Sequence, residues 1–129
     1  MFEDADPLLR RLRELALAFP DAAEKISHGH PAFFTTKVFA YYGGSIKVDG
    51  SYRRHERSVL VLPDEHERLA LLEDERCYLP AYLGPAGWVG LDLDGGTDWA
   101  EVGELLEASY RMTAGVRRVA ALEARRPAR

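Results

Sequence analysis

Ala32-Phe33-Phe34-Thr35-Thr36-Lys37-Val38-Phe39-Ala40-Tyr41-Tyr42 is a run of aromatic and β-branched residues, the side chains that suit a pleated, half-buried surface. It is longer than one typical strand of about five or six residues, so two strands with a turn near Thr36-Lys37 are expected. Downstream, Gly43-Gly44 and Asp49-Gly50 are turn signals around a short strand, Ser45–Val48. Tyr52–Arg57 is polar and reads as a connection or an exposed edge. Ser58-Val59-Leu60-Val61-Leu62 is a continuous apolar run, the mark of a central strand. The connections across residues 33–62 are too short for parallel crossovers, so the pairing is antiparallel.

Helical signals flank this meander. Asp6 is a good N-cap and Pro7 suits the first helical position. Leu8, Leu9, Leu12, Leu15, Ala16 and Phe19 then recur on one face until Pro20. Asp64 with Glu67 fits a capping box for a short helix to about Leu72, with Leu69 and Leu72 facing inward. Cys77–Pro80 reads as a short strand and Leu83–Gly87 as a loop. Trp88–Asp94 alternates, with Val89, Leu91 and Leu93 on one face. Asp98 and Glu101 open a helix carrying Trp99, Val102, Leu106 and Tyr110. Ala114-Gly115 marks a kink or boundary before a last helix to about Arg125, stopped by Pro127. The order is that of an α+β fold: one domain over residues 1–129, with a single, mostly antiparallel sheet of about five or six strands. Leu8, Leu12, Leu15 and Phe19 should seat the first helix on one sheet face.

A length of 129 residues with 47% hydrophobic and 29% charged residues is that of an ordinary globular domain. It excludes disorder as the main state, and no apolar run approaches the length of a membrane span. Cys77 is the one cysteine, so an internal disulfide and a cysteine-based zinc site are excluded. Met1-Phe2-Glu3-Asp4 lacks a signal-peptide pattern, which makes the cytoplasm the expected compartment. The net charge of −4 is unevenly spread: residues 1–110 hold 11 Lys and Arg against 20 Asp and Glu, while residues 111–129 hold six Arg against Glu123. The acidic body repels a polyanion and the basic end attracts one, although cations also suit the end of a terminal helix.

Constellations for catalysis are missing. There is no Gly-x-Ser-x-Gly, Cys-His or His-Asp-Ser arrangement, and Gly95-Gly96 lacks the rest of a phosphate loop. Asp94-Gly95-Gly96 is turn chemistry and Asp98 a helix cap. Cys77 stands beside Arg76, which favours a thiolate, but a lone cysteine in an apolar strand is usually inert. His28-x-His30 puts two imidazoles on one side of an extended segment, short of the three or four ligands of a metal site. No metal, no cofactor and no enzymatic activity are expected.

Ser27-His28-Gly29-His30-Pro31-Ala32-Phe33, Lys37-Val38-Phe39-Ala40, Tyr78-Leu79-Pro80, Gly87-Trp88-Val89 and Ser109-Tyr110 with Thr113-Ala114 follow one another in an order that resembles the MmcQ/YjbR family. The resemblance runs over about residues 8–122. It implies helices packed on one face of an antiparallel sheet, as in the frataxin-like superfold, with a double-wing arrangement to which a DNA-binding role is attached. It supplies no catalytic residues. The basic residues that precede the last helix in many members stand here, shifted, as Arg117-Arg118.

Lys37, Lys47, Arg53, Arg54 and Arg57 lie on short strands and connections where wings would be, and with Arg117 and Arg118 they are the candidate DNA contacts. Binding would be weak and salt-sensitive, through phosphates with little base readout. Tyr41, Tyr42, Tyr52, Tyr82 and Trp88 are available to stack on bases or to line a pocket. The alternative function is a small-molecule pocket, for an aromatic ligand, involving His30, Tyr82 and Trp88. A second alternative, frataxin-like metal handling through surface carboxylates, is opposed by the mixed charge of the first helix. The oligomeric state is not legible.

Overall fold

Asp6 begins the first helix, α1 (Pro7–Leu17), by accepting the Leu8 N–H at 2.9 Å. The computed structural model describes residues 2–125; Arg126, Pro127 and Arg129, read above as the basic end of the chain, lie outside the described residues. After α1 come β1 (Ala23–Ser27), β2 (His30–Phe34), β3 (Val38–Val48) and β4 (Ser51–Val61). Then follow α2 (Glu65–Leu71), β5 (Cys77–Tyr78), a 3-10 turn (Gly84–Ala86), β6 (Val89–Asp92), α3 (Trp99–Thr113) and α4 (Val116–Ala124). The six strands form one sheet in the order β1-β2-β3-β4-β6-β5, and every pairing is antiparallel. The fold is α+β, as expected.

α1 and α3 cover one face. Leu9, Leu12 and Ala16 from α1 meet Phe33, Tyr42, Val59, Val61 and Leu91 from the sheet and Val102, Leu106 and Tyr110 from α3. Leu8, Leu15 and Phe19 pack partly buried at the margin of this core. The register between β2 and β3 slips after Phe33, which pairs with Ala40 while Phe34 pairs with Val38. Phe39 is therefore the extra residue of a bulge, which lets it join its neighbour Ala40 in the same core. Ser109 ties α3 to the sheet: its hydroxyl donates to the Phe39 carbonyl at 2.6 Å and accepts the Leu62 N–H at 2.9 Å.

The opposite face carries a smaller cluster. Leu60, Tyr78 and Trp88 are buried there against Val38, Tyr41, Ile46, Leu62 and Leu83. The chain from β5 to β6 folds over this face, and the Ala81 N–H donates to the Ser45 carbonyl at 2.7 Å.

Three local expectations are corrected. Gly43-Gly44 is not a turn: β3 runs through it to Val48, with an irregularity between Tyr42 and Gly44. The glycines serve close approach, because a Cβ on Gly44 would lie 2.7 Å from the Tyr78 hydroxyl. Tyr52–Arg57 belongs to β4, paired residue by residue with β3 up to His55. In α2, Leu69 is 57% exposed and Leu71 packs on the core instead, since the Asp64 cap fixes a helical phase that turns Leu69 outward. Asp49-Gly50 is a turn as read, with φ positive at both residues (+51° and +80°), the two-residue hairpin geometry that suits Asp-Gly.

Candidate nucleic-acid interface and the pocket beside it

β2 stops pairing with β3 at Tyr41, and β6 stops pairing with β4 at Ser58. Beyond those points β3 and β4 continue as a two-stranded ribbon ending at Asp49-Gly50, with further backbone bonds from Ala81 to Ser45 and from Leu93 to Arg57. Lys47 is opposite Tyr52, Ile46 opposite Arg53, and Ser45 opposite Arg54. Lys47, Arg53, Arg54 and Arg57 are all exposed. Their neutralisation is slight. Arg54 stands 3.5 Å from Glu56 and Arg57 stands 3.6 Å from Asp6, while Arg53 has no ion pair among the described residues. The exposed Arg54–Glu56 pair contributes little to stability.

Tyr52 and Tyr82 stand at the same place. Their rings stack at 5.8 Å and their hydroxyls are 2.8 Å apart, yet Tyr52 is 50% and Tyr82 81% exposed. The Lys47 ammonium lies 5.9 Å from the centre of the Tyr52 ring. Two large exposed aromatics thus stand beside Lys47 on the ribbon.

The base of the ribbon is pinned. The His55 Nδ1–H donates to Asp92 at 2.7 Å, and the His55 ring stacks on Tyr78 at 4.1 Å. The Ser58 hydroxyl donates to the His55 carbonyl and is 2.7 Å from the Tyr78 hydroxyl, which is therefore the donor of that second bond. Spacing gave no hint of this cluster, since 37 residues separate His55 from Asp92. Only the antiparallel register brings them together.

The remaining basic candidates are elsewhere. Lys37 sits in the bend before β3, about 30 Å of extended chain from Lys47 at roughly 3.3 Å per residue. Arg118 is nearby, donating to Thr36 and to Asp21, both at 3.2 Å, and to the Ala114 carbonyl. It is a structural clamp between α4 and the loops beneath it. Arg117 is exposed on α4. The seven candidates therefore form two groups at opposite ends of β3, not one surface.

The aromatics divide likewise. Tyr42 is buried on the helix face, where its hydroxyl donates to Asp6 at 2.6 Å, and it is not available to a ligand. Trp88 is buried behind Tyr41, edge-on at 5.3 Å. It supports the wall of a pocket without lining it, which corrects its place in the expected ligand set. His30 and Tyr82 do line that pocket, with Tyr41, Ser45 and Leu60. His28 is not in an extended segment: with φ +52°, and Gly29 at +81°, it forms the turn between β1 and β2. Among the described residues no group of three or more His, Cys, Asp or Glu could hold a metal ion. No helix among them is long and apolar enough to cross a membrane.

Cys77 is half-buried, and burial pushes its thiol up to about 11, with Asp74 adding to the effect. Arg76 opposes the shift but is itself held by Asp74 at 2.7 Å and Glu101 at 3.0 Å. The thiolate is scarce at neutral pH, so alkylation of Cys77 by iodoacetamide at about pH 8 should run about 100-fold slower than for an ordinary exposed thiol. The rate should climb about tenfold per pH unit toward pH 11; a plateau near pH 8–9 would show that Arg76 governs the site instead.

A model of the family described as YjbR matches residues 17–112. The chain belongs to the YjbR family. The match spans the whole sheet and nearly all of α3, so the ribbon, its pinned base and the pocket all lie inside the family region. The fold is similar to the crystal structure of Deinococcus radiodurans protein DR2400, described as a DUF419 domain. The TM-score is 0.58 at 19% identity, covering 81% of this chain and 76% of that one. No curated protein matches this YjbR-family chain.

Proposed function

We propose that this YjbR-family protein binds nucleic acid through the outer half of the β3–β4 ribbon, without catalysing a reaction on it. The observation that carries this reading is the concentration of Lys47, Arg53, Arg54 and Arg57 beside the exposed Tyr52–Tyr82 pair. Residues 45–57 hold these four cations against Asp49 and Glu56, a local excess of +2 on a chain of net charge −4. A two-stranded ribbon is narrow enough to enter the major groove of B-form DNA. The guanidinium groups would meet phosphates, and the tyrosine faces would stack on unpaired bases. The acidic remainder of the chain opposes association, so affinity is weak and falls steeply with salt.

Fluorescence anisotropy with duplex and single-stranded oligonucleotides at about 50 and 200 mM salt tests the reading, since counterion release dominates over that span. Arg53→Ala should weaken binding uniformly across sequences and lower the salt slope by about one unit. Tyr82→Ala should weaken single-strand binding about tenfold and leave duplex binding nearly unchanged. Lys37→Ala and Arg117→Ala, at the far end of β3, should change neither. Absence of binding at the lower salt, or equal losses from both ends of the molecule, would end the proposal.

A further inference from the structure

The pocket next to the ribbon has a chemistry of its own. It lies on the sheet face away from α1 and α3, between the β1–β2 turn and the segment Pro80–Leu83, with a volume of about 510 Å³. That is within the range of about 300–1,000 Å³ of small-molecule sites. Its floor is Tyr41 and Leu60, and the Tyr41 ring is held in place by Trp88 beneath it. Gly43 and Gly44 keep the floor low; a Cβ on Gly43 would come within 2.9 Å of the His30 ring. No Asp, Glu, Lys or Arg lines the pocket, whose polar groups are imidazoles, hydroxyls and backbone. An ion entering it would lose hydration without meeting an opposite charge, so the site selects neutral molecules.

His30 sets the polarity. Its Nδ1 is 3.2 Å from the Tyr42 carbonyl, which can only accept, so Nδ1 carries the hydrogen. Burial holds the imidazole below its ordinary pKa, so the ring is neutral at physiological pH. Nε2 is then a lone-pair acceptor, and it has no protein partner among the described residues. Tyr41 offers a fixed aromatic face, and Ser27 and Ser45 add hydroxyls at the rim.

We infer that this pocket binds a flat, neutral aromatic or heteroaromatic molecule that donates one N–H or O–H to His30 Nε2. The site shares Tyr82 with the nucleic-acid surface but needs no nucleic acid to be filled.

Indole and 1-methylindole are a matched pair of probes: both are flat, neutral and nearly equal in size, but only indole has an N–H. Titrated into the ¹⁵N-labelled full chain, indole should bind with a dissociation constant of roughly a millimolar, as expected for so small a ligand. Shifts should centre on His30, Gly43, Gly44, Ser45 and Ala81. 1-Methylindole should bind about fivefold more weakly, the value of one hydrogen bond. His30→Leu should bring indole down to the level of 1-methylindole, and Ser27→Trp, which fills the rim from β1, should abolish both. Equal affinities for the two probes in the unmodified protein would overturn the inference whether or not either variant folds. So would indole shifts scattered away from the pocket, or no saturation by about 10 mM, well above the expected constant.

Discussion

Gly90→Ala is expected to destabilise the protein by about 2–3 kcal/mol, as overpacking at a rigid site does. Gly90 sits on β6 between Leu60 of β4 and Tyr78 of β5. The phenol of Tyr78 lies across it, and a Cβ there would be 2.3 Å from the Tyr78 Cζ. The ring has nowhere to go. It is buried, stacked on His55 and hydrogen-bonded to Ser58, and its hydroxyl already reaches the place where a Gly44 side chain would be. Urea unfolding of a double-mutant cycle isolates the cause. In a Tyr78→Ala background, Gly90→Ala should cost less than about 1 kcal/mol, because the obstacle is gone. An equal cost in both backgrounds would refer the effect to the β6 backbone instead of the Tyr78 ring.

Tyr110→Ala should cost about 4 kcal/mol, in the range of large aromatic deletions from a core. Tyr110 is fully buried, stacked on Phe19 at 4.8 Å and edge-on to Phe39 at 5.3 Å, and its hydroxyl donates to the Pro20 carbonyl at 2.7 Å. It joins α3, the end of α1 and the β3 bulge in one contact. Tyr110→Phe keeps the rings and should cost about 1 kcal/mol, that of the hydrogen bond alone. The adjacent Ser109→Ala should cost about 2 kcal/mol despite its small size, because it leaves the Phe39 carbonyl and the Leu62 N–H without their partner. If Ser109→Ala is neutral in thermal and urea unfolding, water has replaced the hydroxyl and the clamp has no energetic role.

Much of the architecture was legible because local signals agreed with one another. Asp6-Pro7, Asp64, Asp98 and Asp49-Gly50 each fix a boundary through chemistry that acts within four residues. Leu91 and Leu93 face the same core, with the exposed Asp92 between them. What was not legible depends on distance. Gly43-Gly44 has the composition of a turn, but glycine is set there by His30 beside Gly43 and by a tyrosine 34 residues beyond Gly44. Leu69 and Leu71 are interchangeable by composition, and only the packing against the core separates them. The candidate site followed the same rule. Lys47, Arg53, Arg54 and Arg57 were legible as a group because they are close in sequence along one hairpin. The separation of Lys37 and Arg118 from them, and the burial of Trp88 behind Tyr41, required the sheet order.

The pinned base of the ribbon divides the β3–β4 hairpin into parts with different histories open to them. Below His55 and Ser58, both strands are embedded in the sheet, and a changed side chain there alters the packing of the whole fold. Above it, Val48, Ser51, Arg53 and Arg54 are exposed, and substitutions at positions of this kind stay within about 0.5 kcal/mol. Exposed positions at the tip therefore tolerate changes that the embedded halves of the same two strands do not.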